Sequence, residues 1–420
     1  MVRSLFAGLL LSVTCSLHAA TEAHAQAADP AELLSRHARA GTLAAGETEL
    51  AALPQDAQAV AARGMIKFAR AVEMFGQGLY RYGQRPAGVF DRFPPWHLQV
   101  PANPNPERLT YGRLRALYAR FLADLVDTEA SLAHLPAGAV RLPLDLNAVK
   151  LDLDGSGAQN SAHSLGQMIA RWMPGRDLAA SMQRPDDQWL VRFDRADVVW
   201  LRGYCHFVAA QLETALAFDW HQIYDQYADA VFAGAARERP EEDPGPADLE
   251  SRIQRGEALG YFELGVALHL VRWPVAAPER LLSVRDRLKI VVALSRQSWA
   301  EAMAETDDDH EWLPNPRQSN RAGPGFPPTP EQLAVWQTAL NDMEAALDGK
   351  LLVRHPRYRR GFDLGRALEQ MRSFDLMMWI AGHGIVPYLK DGPVASQASI
   401  DWWLRRLGTG ARLNYARWFD

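Results

Sequence analysis

The chain has 420 residues, 48% of them hydrophobic and 23% charged, with a formal net charge of −5. That is enough apolar material for one large core or two smaller ones. It argues against a nucleic-acid partner, because neutralising a phosphate backbone takes a concentrated basic face.

Residues 1–25 read as a secretory signal peptide. Arg3 supplies the positive start, Leu5 to Leu17 is an uncharged apolar run, and Ala23-His24-Ala25 offers small residues at a cleavage site. The run is shorter than the roughly 20 apolar residues that span a bilayer, so no membrane span is expected. The residues before Cys15 lack the leucine of a lipoprotein signal, so no lipid anchor is expected either. The expected location is periplasmic or secreted. Cys205 is then the single cysteine of residues 26–420, and an internal disulfide is excluded.

Helical periodicity dominates from there on. Ala57 to Tyr82 places Val60, Ile66, Phe68, Val72, Phe75 and Leu79 on one face of a long helix. Arg108 to His134 repeats the type. Val140 to Leu153 breaks it: Val140, Leu142, Leu144 and Leu146, then Val149, Leu151 and Leu153, alternate with polar residues. A small hairpin about Asn147-Ala148 is expected, with Pro143 confining it to an edge. Further helices are predicted at Ser161–Met173, Arg195–Phe218, Trp220–Phe232, Ala247–Arg272, Leu282–Ala304, Pro330–Leu347 and Gly365–Val386. Two Pro-rich loops stand between them, Ala235–Asp248 and Trp312–Pro330. The predicted fold is all-α, a single large multi-helix domain over 26–420 with a β-hairpin near 140–153. A sub-division near 236–248 is the alternative.

The best metal candidate follows the hairpin. Asp152, Asp154 and Ser156 fall at positions 1, 3 and 5 of a calcium loop, Gly157 stands at the sharp turn and Asn160 at position 9. Calcium is a hard cation that wants several oxygens at once, and this spacing supplies them. Position 12 is His163 where a Glu is expected. Asp145 or Asn147 would complete the shell if the hairpin folds back. Otherwise the stretch is a Gly-rich turn whose Asp and Ser side chains satisfy backbone N–H groups.

Arg195–Phe218 is apolar nearly all round, which marks a central helix. Arg202, His206 and Glu213 collect on one strip of it. Buried groups of this kind serve as a general acid/base pair, or as a hydrogen-bonded network that fixes helix register; the second reading is the commoner. The run Asp307-Asp308-Asp309-His310-Glu311 is either a cation or partner grip or a solvated helix end. Arg354, Arg357, Arg359 and Arg360, with Lys350 and His355, could hold an anion; pairing with the protein's own acids is the favoured reading. The thirteen tryptophans read mainly as core. Phosphate loops, dinucleotide fingerprints, GxSxG and HExxH are absent from the sequence.

Four stretches, LDLDGSG, DRADVVWLRGYCH, TDDDHEWLPNPRQ and FDLMMWIAGHGIVPYL, resemble a group of exported bacterial proteins that combine a helical body with an Asp/Gly-rich, EF-hand-like loop. The resemblance spans most of residues 26–420. It implies a shared helical fold and, for the group, a more complete calcium loop; it implies no activity. The leading expectation is therefore a binding or structural module with a weak Ca2+ loop and an unknown ligand or protein partner. The rival is a periplasmic hydrolase using Arg202, His206 and Glu213. A protein-binding scaffold would show an exposed apolar groove instead.

Overall fold

The computed structural model describes residues 28–85, 98, 100–157, 164–166, 168, 189–235, 253, 258–319 and 327–395. Its architecture is all-α with small two-stranded antiparallel sheets. Two short helices, α1 (Pro30–Ala40) and α2 (Leu43–Ala51), precede the first predicted one. Asp29 caps α1 through the Ala31 N–H, Pro30 stands at its first position, and Gly41 closes it at φ 63°. Then come α3 (Ala57–Arg81) and α4 (Tyr111–Ala133), capped by Asp56 and Thr110. The two approach closely at Gly64, where a Cβ would stand 2.0 Å from Leu132, and Phe75 stacks on Phe121 at 4.4 Å.

A small sheet does form near 140–153, but with a different partner. Strand β1 (Leu142–Asp145) pairs antiparallel with β2 (Leu190–Phe193), with Leu142 opposite Phe193. The turn after β1 exists, since the Asp145 carbonyl accepts the Ala148 and Val149 N–H groups. Residues 149–153 then leave the sheet. The Lys150 N–H donates to the Ala38 carbonyl, and Leu151 and Leu153 go fully into the core. Their alternation records burial against α1 and α3, not a second strand.

Helix α5 (Arg195–Ala217) opens on a reciprocal capping box between Asp194 and Asp197. It is central as its apolar girth predicts, packed by α4 on one side and along its length by α8 (Pro278–Ala304) on the other. Gly203 of α5 faces Leu294 of α8. Cys205, at its middle, is fully buried, and burial pushes its thiol pKa up. Helices α6 (His221–Val231) and α7 (Ala258–His269) follow α5. Helix α9 (Pro330–Leu347) begins on the Thr329–Gln332 capping box and packs on α8, with the Trp336 indole donating to Ser295.

The predicted helix Gly365–Val386 is several pieces. Helix α10 (Leu364–Gln370) stops, and Ser373–Asp375 extends as a strand against Arg272–Pro274. A five-residue helix α11 (Leu376–Ile380) follows, capped by Asp375, then a turn with Gly382 at φ 85°. Cross-strand packing of Trp273 on Phe374, 6.3 Å apart, wins over helical periodicity here. Most of predicted helix Ser161–Met173, the Ala235–Asp248 loop after its first residue, and Trp402 and Trp403 lie outside the described residues. No helix among the described residues is long and apolar enough to cross a membrane.

Candidate functional site

The polar strip on α5 resolves into two separate ion-pair sets. Glu129, from α4, takes Arg202 at 3.0 Å and 2.9 Å on one oxygen, and His206 Nε2 lies 3.6 Å from the other. The His206 imidazole beside it, then the hydrogen bond from Arg202, holds the Glu129 carboxyl below its ordinary range. His206 Nδ1 is buried without a partner. Glu213, two turns on, faces α8 instead: Arg280 lies 2.5 Å and Arg287 3.4 Å from its oxygens. The candidates Arg202, His206 and Glu213 thus share a helix but not a site. Each acid is matched by cations from a different helix, the pattern of a register-fixing network.

The loop at Asp152 is a tight Gly-rich turn whose Asp side chains accept backbone N–H groups. Asp152 Oδ2 accepts the Gly157 N–H at 2.9 Å and Asp154 Oδ1 accepts the Ser156 N–H at 3.0 Å. Gly155 and Gly157 sit at φ 71° and 72°, the left-handed region that excludes most other residues. The loop lies against α3. Glu73 accepts the Asp152 N–H at 2.8 Å, and Gln77 donates to the Asp152 carbonyl at 2.8 Å. Burial, with the Asp152 charge adding to it, raises the Glu73 carboxyl. Asp152 Oδ1 is buried and unpartnered. Asn160 and His163 lie outside the described residues. Asp145 accepts its own turn's Asn147 N–H, and Asn147 lies against Gly166.

A third constellation joins two of the quoted stretches, DRADVVW and TDDDHEW. The N-terminus of α5 brings Asp194 and Asp197; the chain leaving α8 brings Glu305 and Glu311. Ligand oxygens of Asp194, Glu305 and Glu311 all lie within 4.8 Å of one another. Asp197, behind them, is 3% exposed and takes the Asp194 N–H at 3.1 Å.

The backbone conformation sorts the acidic run. His310 sits at φ 62°, unusual for a non-glycine residue, and this turns Glu311 inward while Asp309 points out. Asp307 pairs with Arg141 at 2.8 Å, Asp309 with Arg192 at 2.7 Å, and Asp308 takes both N–H and hydroxyl of Ser319. Buried Asn315 and Gln318 lock the following turn onto the end of α8: Asn315 donates to the Ala302 carbonyl, Gln318 to Glu305 and to the Asp307 carbonyl.

The nearby guanidiniums therefore go elsewhere. Arg195 donates to the Pro136 carbonyl and faces Glu301; Arg317 donates to the Met303 and Glu305 carbonyls. The inner carboxyls meet each other. Burial pushes Glu305 up to about 9, with a carboxyl–carboxyl hydrogen bond to Asp194 adding to it. Burial likewise raises Glu311 to about 7, and Asp194 and Asp197 rise for the same cause.

No protein-family model, curated protein or solved structure matches the chain.

Glu305 and the Asp194–Asp197 pair escape a sequence reading because each has an ordinary local explanation, a helix end and a capping box. The clue was their repetition: two acid-bearing helix ends, Asp194/Asp197 and Glu305/Glu311, each with a tryptophan close behind. Those two tryptophans, Trp200 and Trp312, do meet, with ring centroids 5.6 Å apart.

Proposed function

We propose that this protein is an exported helical binding module whose body is tied together by a hard divalent cation, Ca2+ being the first candidate. The observation that carries the reading is the carboxylate set Asp194, Glu305 and Glu311, whose ligand atoms lie within 4.8 Å of one another while the neighbouring arginines are engaged elsewhere. Buried carboxylates need cations or protons to offset desolvation. Oxygen ligands from two elements on one ion would fasten the start of α5 to the end of α8.

A second cation position is the loop of Asp152, Asp154, Ser156 and Asn160. What supports it is the buried, unpartnered Oδ1 of Asp152, with Glu73 of α3 beside the loop as a further acid. The hydrolase alternative draws less support, since His206 and Glu213 are engaged by different helices.

The test is the melting temperature in chelator and in millimolar Ca2+, Mg2+ or Mn2+, for the parent chain, Glu311→Gln and Asp154→Ala. A ligand that binds only the native state raises it. Loss of the rise in Glu311→Gln assigns the carboxylate set, and loss in Asp154→Ala assigns the loop. A parent chain indifferent to all three ions sinks the reading.

A further inference from the structure

Helix α7 is unlike the others. Its sequence, ALGYFELGVALH, is apolar on nearly every face, its one acid, Glu263, standing beside Tyr227 of α6. Phe262 is 73% exposed, Tyr261 56% and Val266 45%. A helix that packs on protein hides its apolar residues; this one presents them.

Helix α11 extends the same surface. The Leu376 N–H donates to the Val271 carbonyl at 2.9 Å, and the strand after α7 pairs with the strand before α11. The start of α11 thus stands beside the end of α7, and the two helices touch. Met377, Met378 and Ile380 are exposed there, Ile380 by 64%. Large residues scattered singly need no explanation, but seven on two adjoining helices, Leu268 among them, form a patch.

The edge of that patch is cationic. His355 meets the Ile380 carbonyl at 3.1 Å, and Arg357 donates to His383 Nε2 at 2.6 Å, so the segment 354–360 lies against the end of α11. Arg354, Arg357, Arg359 and Arg360 are all exposed, and among the described residues none makes an ion pair. The expectation that this run pairs with the protein's own acids fails. Asp307 and Asp309 are taken by Arg141 and Arg192, and among the described residues only Lys350 of the run finds an acid, Asp348 at 2.8 Å. Asp375, the acid on α11's side, is turned into its helix cap.

We propose that α7, α11 and the arginines of segment 354–360 form a face that docks on an anionic lipid surface. Apolar side chains next to unpaired guanidiniums match the two layers of such a surface, acyl chain below and phosphate above. Charge complementarity favours this occupant over a second copy. A two-fold contact would set the same surface against itself and bring the two arginine groups together.

The experiment is co-sedimentation of the full chain with vesicles of phosphatidylcholine containing about 30 mol% phosphatidylglycerol, at about 0.05 M and 0.5 M salt. The variants are Phe262→Ser/Ile380→Ser and Arg357→Ser/Arg360→Ser; residues 1–25 contribute equally to every chain. Removing two arginines is expected to lower the partition coefficient about thirtyfold at low salt and to flatten its salt dependence. Removing the two apolar anchors is expected to lower it about tenfold at either salt. Melting temperatures should stay unchanged, because the altered side chains are exposed. Equal binding by all three chains overturns the proposal. So does a parent chain that ignores the vesicles, whether monomeric or forming a dimer that Phe262→Ser/Ile380→Ser disperses.

Discussion

Helix α5 handles buried charge in two opposite ways. Along its length every acid has cations to answer it: Glu129 receives Arg202 and His206, and Glu213 receives Arg280 and Arg287. At its N-terminus Asp194, Asp197, Glu305 and Glu311 meet one another while the arginines around them serve other groups. The first arrangement is self-sufficient and fixes how α4, α5 and α8 pack. The second is complete only with protons or a cation added from solution. Polar residues on a buried helix are thus a poor guide to function; what separates a structural set from a candidate site is whether the charges balance.

Breaking the balanced end should cost most. Glu213→Ala strands two guanidiniums against a half-buried surface and is expected to cost about 3 kcal/mol in urea denaturation. Glu129→Gln keeps the shape but removes the charged acceptor of Arg202, and about 2 kcal/mol is expected by the same method. If either change is neutral, the strip does not fix register.

The two ends should also answer pH with opposite sign. Glu129 has a lowered pKa in the folded state, so its contribution is present above about pH 4 and is lost as pH falls through its folded value. Glu311 and Glu305 are raised, so the native state holds protons that the unfolded chain has shed. Their contribution is present below about pH 4 and drains away as pH rises through about 7 and about 9. In chelator, Glu305→Gln/Glu311→Gln should therefore flatten the alkaline fall in melting temperature, and Glu129→Gln should leave it. A bound divalent cation would flatten it in the parent chain too.

The smallest effect sharpens the loop. At Gly76 of α3 a Cβ would stand 2.6 Å from Leu153 and 2.8 Å from Leu98, both at the ends of flexible side chains. Gly76→Ala gains helix propensity and loses fit, for a net cost of about 1 kcal/mol. If the Asp152 loop takes Ca2+, the same variant should weaken that binding, since Gly76 faces the residue between Asp152 and Asp154.

Much of this was legible in the sequence. The helices from Ala57, Arg195 and Pro330 begin where their periodicity puts them, because amphipathicity is a local signal, and Asp56, Asp194 and Thr329 cap them there. The centrality of α5 followed from its apolar girth. What was hidden depends on partners far along the chain. β2, not residues 149–153, pairs with β1; Glu129 and Arg280, not their own helix-mates, answer His206 and Glu213. The acidic run was visible at Asp307–Glu311, but which of its members turn inward is decided by the backbone at His310.

Cys205 sits under all of this, at the middle of the helix that carries both charge arrangements, shut away from solvent and held as an unreactive thiol. A thiol dye can reach it only when the packing around α5 opens. In a Cys15→Ser background, its labelling rate becomes a clock for whole-body opening. Slower labelling on adding a divalent ion would time the fastening of α5 to α8 without any knowledge of what the protein binds.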